Sequence, residues 1–180
     1  MQIIEIASLT SSNESFTQGL ISLLMTCVEH GASIGFMLPF TESEAVQYWD
    51  SVGSDMKKGG RRLLIATQDE QIIGTVQLSL SDKKNGLHRA EIEKLMVHPD
   101  ARKQGIANVL MHQIEAVAQE LARSLLILDT QTNSLAYKLY LKRGYRRVGD
   151  IPGFAFSIDG ELEATCIFYK HVPDDIQEAK

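Results

Sequence analysis

Two carboxylates, Glu91 and Glu93, lie in the stretch Arg89-Ala90-Glu91-Ile92-Glu93-Lys94-Leu95-Met96-Val97. As a strand it alternates between faces, with Glu91, Glu93, Leu95 and Val97 on one and Ala90, Ile92, Lys94 and Met96 on the other. Like charges on one face, with water excluded, raise each other's pKa, which suits a general base working near neutral pH. The competing reading is a solvated strand face. A third acid, Asp129, ends the apolar run Ser124-Leu125-Leu126-Ile127-Leu128, where open α/β sheets place their ligands. Capping of the next turn, by Asp129 or by Thr130, competes.

His98-Pro99-Asp100 stops the first strand, because Pro99 has no backbone donor. Farther on, Ala107, Leu110, Met111, Ile114, Ala118 and Leu121 recur at helical spacing. Between them stand Arg102, Lys103, Gln104, Gly105, Ile106 and Ala107. A glycine and an alanine two apart let a ligand approach bare backbone. First-turn amides lack intrahelical acceptors and the helix dipole favours an anion there. Arg102 and Lys103 add positive charge, so the segment reads as a pyrophosphate cradle; a plain helix with a basic start competes. The three glycines of a dinucleotide fingerprint and the Gly-Lys-Ser/Thr ending of a Walker loop are missing.

The segment Arg102-x-x-Gly105-x-Ala107 behind a strand resembles the Q/R-x-x-G-x-G/A motif of the GNAT superfamily of N-acetyltransferases. Asn133-x-x-Ala136-x-x-Leu139-Tyr140-x-x-x-Gly144-Tyr145 resembles that family's second motif, N-x-x-A-x-x-L-Y-x-x-x-G-F, departing only in the last aromatic. Gly35-Phe36-Met37, Gln77-Leu78-Ser79-Leu80, Asn85-Gly86-Leu87, Arg89-Ala90-Glu91 and Lys94-Leu95-Met96-Val97 are similar to the tabtoxin resistance branch of the family. The likeness runs from about Leu20 to Lys170.

The resemblance implies an α/β (α+β) fold: a mixed, mostly antiparallel sheet of about seven strands, splayed at its central parallel pair and flanked by about four helices. It implies acetyl-CoA as co-substrate. The backbone of Met96 and Val97 would face its acyl and pantetheine part. Arg102 and the amides of Lys103, Gln104, Gly105, Ile106 and Ala107 would meet its pyrophosphate, and Asn133 would also hold the cofactor. Acyl transfer to an amine needs a base, a donor to the oxyanion and a proton for the departing thiolate. Glu91 ranks first as base and Glu93 second, with Asp129 as a further acid of the acceptor site. Tyr140 becomes the donor to the CoA sulfur, although Ala136, Leu139 and Tyr140 share a helix face and packing competes. A phenol of pKa about 10 donates slightly uphill to a thiolate of about 8.5, so a hydrogen bond to the developing charge would suffice.

These groups need a frame. A strand is expected over Gln2–Ala7, caps at 10–13, and a helix over Glu14–Glu29. An apolar loop follows at 31–37, where Phe36 and Met37 are either core or, by the resemblance, one wall of the acceptor site. A helix over Glu42–Lys57 is capped by Thr41, and its Tyr48 and Trp49 read as packing. A hairpin of Arg62–Thr67 and Ile72–Leu80 turns at Asp69-Glu70. After the cradle helix come a strand over Ser124–Asp129, a helix over Ser134–Lys142 and a strand over Tyr145–Gly149. Loops follow at Ile151–Phe154 and Asp159-Gly160, then a strand over Ala164–His171.

Residues 1–173 are expected to form one acetyltransferase domain and 174–180 a polar tail. With 44% apolar and 23% charged residues, disorder is excluded as the default. The net charge of −5 argues against nucleic acid as the main partner. No apolar run approaches the roughly 20 residues of a membrane span, and the start lacks an export signal. Cys27 and Cys166 then read as free thiols in a reducing cytoplasm. No histidine stands at metal-ligand spacing from another ligand, and no metal is expected. With no nucleophile constellation, direct transfer in a ternary complex is favoured. The expected partner is a small, amino-acid-like primary amine, a toxin or antibiotic by the resemblance. A housekeeping amine or polyamine, or a CoA-binding sensor without catalysis, competes. A homodimer is compatible with the chain.

Overall fold

Leu63, Leu64, Ile65 and Ala66 are consecutive, and all four are buried in the strand β2 (Arg61–Gln68). Leu63 and Ile65 join a cluster with Leu20, Leu24 and Trp49, while Leu64 and Ala66 join Leu110, Met111 and Ile114. An unbroken apolar run of this kind marks a strand covered on both faces. The computed structural model describes residues 1–9 and 14–173. The caps expected at 10–13 and the tail at 174–180 lie outside the described residues.

The sheet comprises β1 (Gln2–Glu5), β2, β3 (Gln71–Leu80), β4 (Arg89–Val97), β5 (Leu125–Gln131), β6 (Arg146–Phe156) and β7 (Leu162–His171). Their order is β1-β2-β3-β4-β5-β7-β6, and only the β4–β5 pair is parallel. Helices α1 (Glu14–Glu29) and α2 (Glu42–Lys57) cover one face; α3 (Ile106–Glu120) and α4 (Leu135–Lys142) cover the other. This is the mixed, mostly antiparallel α/β sheet the sequence implied. Thr41 caps α2 reciprocally: its hydroxyl accepts from the Glu44 amide, and its own amide donates to the Glu44 carboxylate at 2.8 Å. Such a cap contributes about 1 kcal/mol.

Two irregularities in β4 shape everything that follows. Its pairing with β5 covers only Arg89↔Leu125, Ala90↔Leu126 and Glu91↔Ile127. Beyond Glu91 the two strands part, so a cleft opens in the middle of the sheet. Against β3, the register jumps from Gln77↔Glu93 to Thr75↔Met96. Val76 therefore faces both Lys94 and Leu95, and Lys94 adopts a left-handed φ of 51°. The extra residue shifts the side-chain period by one. Ala90 and Ile92 face α3, but Met96 packs with α1 and α2, while Leu95 and Val97 pack on the α3 side. The expected shared face of Glu91, Glu93, Leu95 and Val97 thus fails after Glu93.

Other expectations shift at element ends. β1 stops at Glu5. β5 continues through Gln131, so Asp129 lies inside the strand rather than at its end. β6 runs through the loop expected at Ile151–Phe154, with a register break between Ile151 and Ala155 that absorbs Pro152 and Gly153. The sheet edge tolerates this because, among the described residues, no strand pairs with the outer side of β6. In α3 the buried stripe starts at Ile106 and includes Val117, whereas Ala107 is half-buried.

Candidate active site

Gly105 caps α3 with φ 82°, a conformation open to glycine at little cost, and no side chain caps the helix. A Cβ there would meet nothing within 4 Å. Among the described residues no group accepts from the amides of Lys103 to Ala107. The turn therefore presents bare donors and the positive end of a helix dipole to open space, which fits an anion such as a pyrophosphate. Lys103, at φ 64°, and Gln104 are exposed. Ile106 is buried, so only its backbone can serve a ligand. Arg102 folds back instead, its Nε donating to the Val97 carbonyl at 3.3 Å.

Three acids gather where β4 and β5 part. Glu93 is held by Arg61, whose guanidinium donates to its carboxylate at 2.7 Å and to Gln77 Oε1 at 2.6 Å. Gln77, fully buried, donates in turn to the Tyr48 hydroxyl at 2.8 Å. Burial pushes the Tyr48 phenol up to about 12, so it stays protonated. Glu91 is exposed and has no ion pair among the described residues. Partial desolvation raises its pKa, and the charges of Glu93 and Asp129 raise it further. Desolvation likewise raises Asp129, against the pull of Lys94. The resemblance ranked Glu91 ahead of Glu93, and the structure shows a physical difference between them: Glu93 is engaged by Arg61, whereas Glu91 has no ion pair among the described residues.

Tyr140, on α4, is 5% exposed and packs beside Tyr145 and Phe168, with ring centroids 5.7 and 6.1 Å away. Burial, then the Asp129 charge, pushes its phenol far up. Among the described residues nothing is shown hydrogen-bonded to its hydroxyl, whose surroundings are burial and the Asp129 charge alone. Asn133 is exposed at φ 64°, one residue before Ser134, which caps α4 by accepting from the Tyr137 amide. The backbone of Met96 and Val97 lies just past the β4 bulge, along the parted edge.

A cavity of about 320 Å³ opens between the α1–α2 loop and the β6–β7 turn. Phe36, Met37, Gln131, Phe156 and Ile158 line it. Gln131 stands two residues past Asp129, on the same face of β5. Phe36 and Met37 thus both line this cavity, while Phe36 also packs against Phe40 and Tyr48 with ring centroids 4.8 and 5.2 Å away. Sequence reasoning missed Arg61, Gln77 and Lys94. Of these only Gln77, a polar residue within an apolar strand, left a signal. Among the described residues, no three His, Cys, Asp or Glu side chains are placed to hold a metal, and no helix is long and apolar enough to cross a membrane.

A sheet parted at its parallel pair, with an uncapped helix start and carboxylates at the split, is the architecture of acyl-CoA-dependent N-acyltransferases. The chain belongs to the acetyltransferase (GNAT) family, whose model matches residues 18–145. Its fold and family are those of acetyl-CoA-dependent acetyltransferases. It is 28% identical to N-acetyltransferase 8B of Rattus norvegicus, over 64% of this chain and 59% of the relative. It is 30% identical to N-acetyltransferase 8 of Homo sapiens, over 56% of this chain and 45% of the relative. The chain thus spans about half the length of these relatives. In fold it is similar to a ribosomal-protein-alanine N-acetyltransferase from Brucella melitensis, with TM-score 0.78, 17% identity, and 96% and 100% of the two chains covered. It is also similar to an aminoglycoside 6'-N-acetyltransferase complexed with coenzyme A, with TM-score 0.71, 17% identity, and 96% and 98% covered.

Proposed function

We propose that residues 1–173 form one acetyltransferase domain that moves the acetyl group of acetyl-CoA to the primary amine of a small, amino-acid-like molecule. One observation carries this reading. Glu91 and Asp129, carboxyls with raised pKa and no ion pair among the described residues, stand where β4 and β5 part, behind an uncapped α3 that fits a pyrophosphate.

The acceptor enters through the cavity between the Phe36 loop and the β6–β7 turn. Its ammonium is attracted by Glu91 and Asp129 and gives a proton to Glu91, because only the free amine has a lone pair to attack with. The amine adds to the thioester carbonyl, forming the C–N bond; the nitrogen of the tetrahedral intermediate releases its second proton to solvent as the C–S bond breaks and the CoA thiolate departs. Tyr140, held protonated by its surroundings, donates a hydrogen bond to the departing sulfur. Met96 and Val97 line the acyl and pantetheine part with backbone. Asn133 and the Lys103–Ala107 amides hold the rest of the cofactor, while Arg102 is turned back onto the Val97 carbonyl. Glu93 supports the site through Arg61.

The acceptor is a toxin or antibiotic of the tabtoxin type, so the activity is one of resistance or self-protection. The segments similar to the tabtoxin resistance branch favour this, and so does the likeness in fold to an aminoglycoside acetyltransferase. The reaction belongs in the cytoplasm, where Cys27 and Cys166 remain the buried free thiols seen here. Acetyl-CoA-dependent thiol release over a panel of amines tests the proposal. Turnover with amino-acid-like amines supports it. Turnover with polyamines alone replaces the acceptor class, and silence across the panel with CoA still bound identifies a sensor.

A further inference from the structure

Lys94 is a costly residue where it stands. It occupies the extra position of the β4 bulge at φ 51°, in the left-handed region that glycine and asparagine enter far more readily than lysine. A strained backbone of this kind persists only when something holds it, and such positions gather at functional sites.

The side chain shows what is gained. Lys94 Nζ donates to the Ile34 carbonyl at 2.7 Å, sixty residues away in the α1–α2 loop. It lies 5.6 Å from the ring centroid of Phe36 and 5.9 Å from that of Tyr48. The ammonium forms no ion pair among the described residues; Glu93, Asp129 and Glu91 act on it through space. Burial lowers its pKa, and those charges oppose the shift. Attraction of a cation to two aromatic faces, with one charge-assisted hydrogen bond, is directional enough to set where a loop lies.

The loop so held is a wall of the cavity. Gly35 and Phe36 both line it, and a Cβ at Gly35 would come within 3.6 Å of Lys94 Nζ. The bulge that reshapes the catalytic strand therefore also fixes the loop facing it.

We propose that Lys94 is a positioning and specificity-determining residue: its ammonium latches the α1–α2 loop to the β4 bulge and thereby sets the shape of the acceptor site. This rests on the acetyltransferase reading for its kinetic part alone. The latch itself is a property of the fold.

Lys94→Asn removes the ammonium while suiting the left-handed backbone better, so the bulge and the overall fold survive. Lys94→Arg restores a cation able to reach a carbonyl and stack on rings. Amide hydrogen exchange over 31–40, with no ligand, is the first measurement. We expect it to quicken at least tenfold in Lys94→Asn, with α3 unchanged, and to return most of the way in Lys94→Arg. In steady-state kinetics with the best amine, Lys94→Asn raises the acceptor KM about tenfold and leaves the acetyl-CoA KM within twofold. Unchanged exchange over 31–40, or equal rises in the two KM values, overturns the latch. Should the wild-type chain acetylate no amine, the functional reading fails while the exchange data still decide on Lys94.

Discussion

Arg61 donates to the Glu93 carboxylate at 2.7 Å, on the side of β4 that faces Tyr48 and the acceptor loop. That contact assigns different work to two glutamates one alternation apart. Glu93 is occupied by a guanidinium, while Glu91 has no ion pair among the described residues, and the base role proposed for it makes a direct prediction. Glu91→Gln should lower kcat by about 10²-fold or more at saturating acetyl-CoA, within the usual range for a lost general base. Glu93→Gln should cost less in rate and about 1 kcal/mol in stability, because it leaves Arg61 without its carboxylate. Kinetics and thermal melts of both variants check this; a larger rate loss in Glu93→Gln would reassign the base.

The pH profile follows from the upward shifts of Glu91 and Asp129. A base must be ionised to work, so kcat/KM falls as pH drops through the raised pKa of Glu91. Asp129→Asn removes one of the charges raising it and should move that acidic limb to lower pH. It should also stabilise the protein at neutral pH. A carboxyl whose pKa is raised on folding weakens the fold when ionised, and that penalty fades as pH falls through its native pKa. A limb that stays in place would uncouple the two acids.

At Gly105 the conformation and the open space make separate predictions. Gly105→Ala should cost about 1 kcal/mol from the left-handed backbone alone, since no protein atom lies near the added methyl. A weakening of CoA binding by about tenfold, or 1.4 kcal/mol, measured by calorimetry, would show that the ligand uses that space. Unaltered affinity would move the pyrophosphate elsewhere.

Tyr140→Phe keeps the packing against Tyr145 and Phe168 and removes only the hydroxyl. We expect a fall in kcat with little change in CoA affinity. An undiminished kcat removes the residue from proton transfer.

Glu115 on α3 meets Arg143 at 2.8 and 3.1 Å and Lys170 at 2.9 Å, while Arg143 also donates to Asn108 Oδ1 at 2.7 Å. Burial alone would raise the Glu115 pKa, but the hydrogen bonds and charges of Arg143 and Lys170 outweigh it and the net shift is down. Its stabilising effect is thus present above the unfolded carboxylate pKa and lost as pH falls through the lowered one. Arg143→Met breaks the clamp between α3 and the end of α4, and should cost about 3 kcal/mol in urea melts. A loss below 1 kcal/mol would show that Lys170 alone satisfies Glu115.

Much of the fold was legible because it depends on local pattern. The ranges of α1 and α2, the Thr41 cap, the Asp69-Glu70 hairpin and the stop at Pro99 follow from spacing and residue type within a few positions. So does the open, uncapped start of α3, since a glycine and unpaired amides at a helix start are features of the chain itself. The candidate acids were legible as residue types, not as roles.

What only the folded chain decided concerns contacts across long separations. A bulge leaves no mark in Glu93-Lys94-Leu95-Met96, because every residue there suits an ordinary strand, and the shift of period comes from pairing with β3. Arg61 finds Glu93, and Lys94 finds Ile34, only once β2, β3, β4 and the α1–α2 loop share one side of the sheet. Alternation is a rule about neighbours in sequence, whereas the state of a carboxylate is set by neighbours in space.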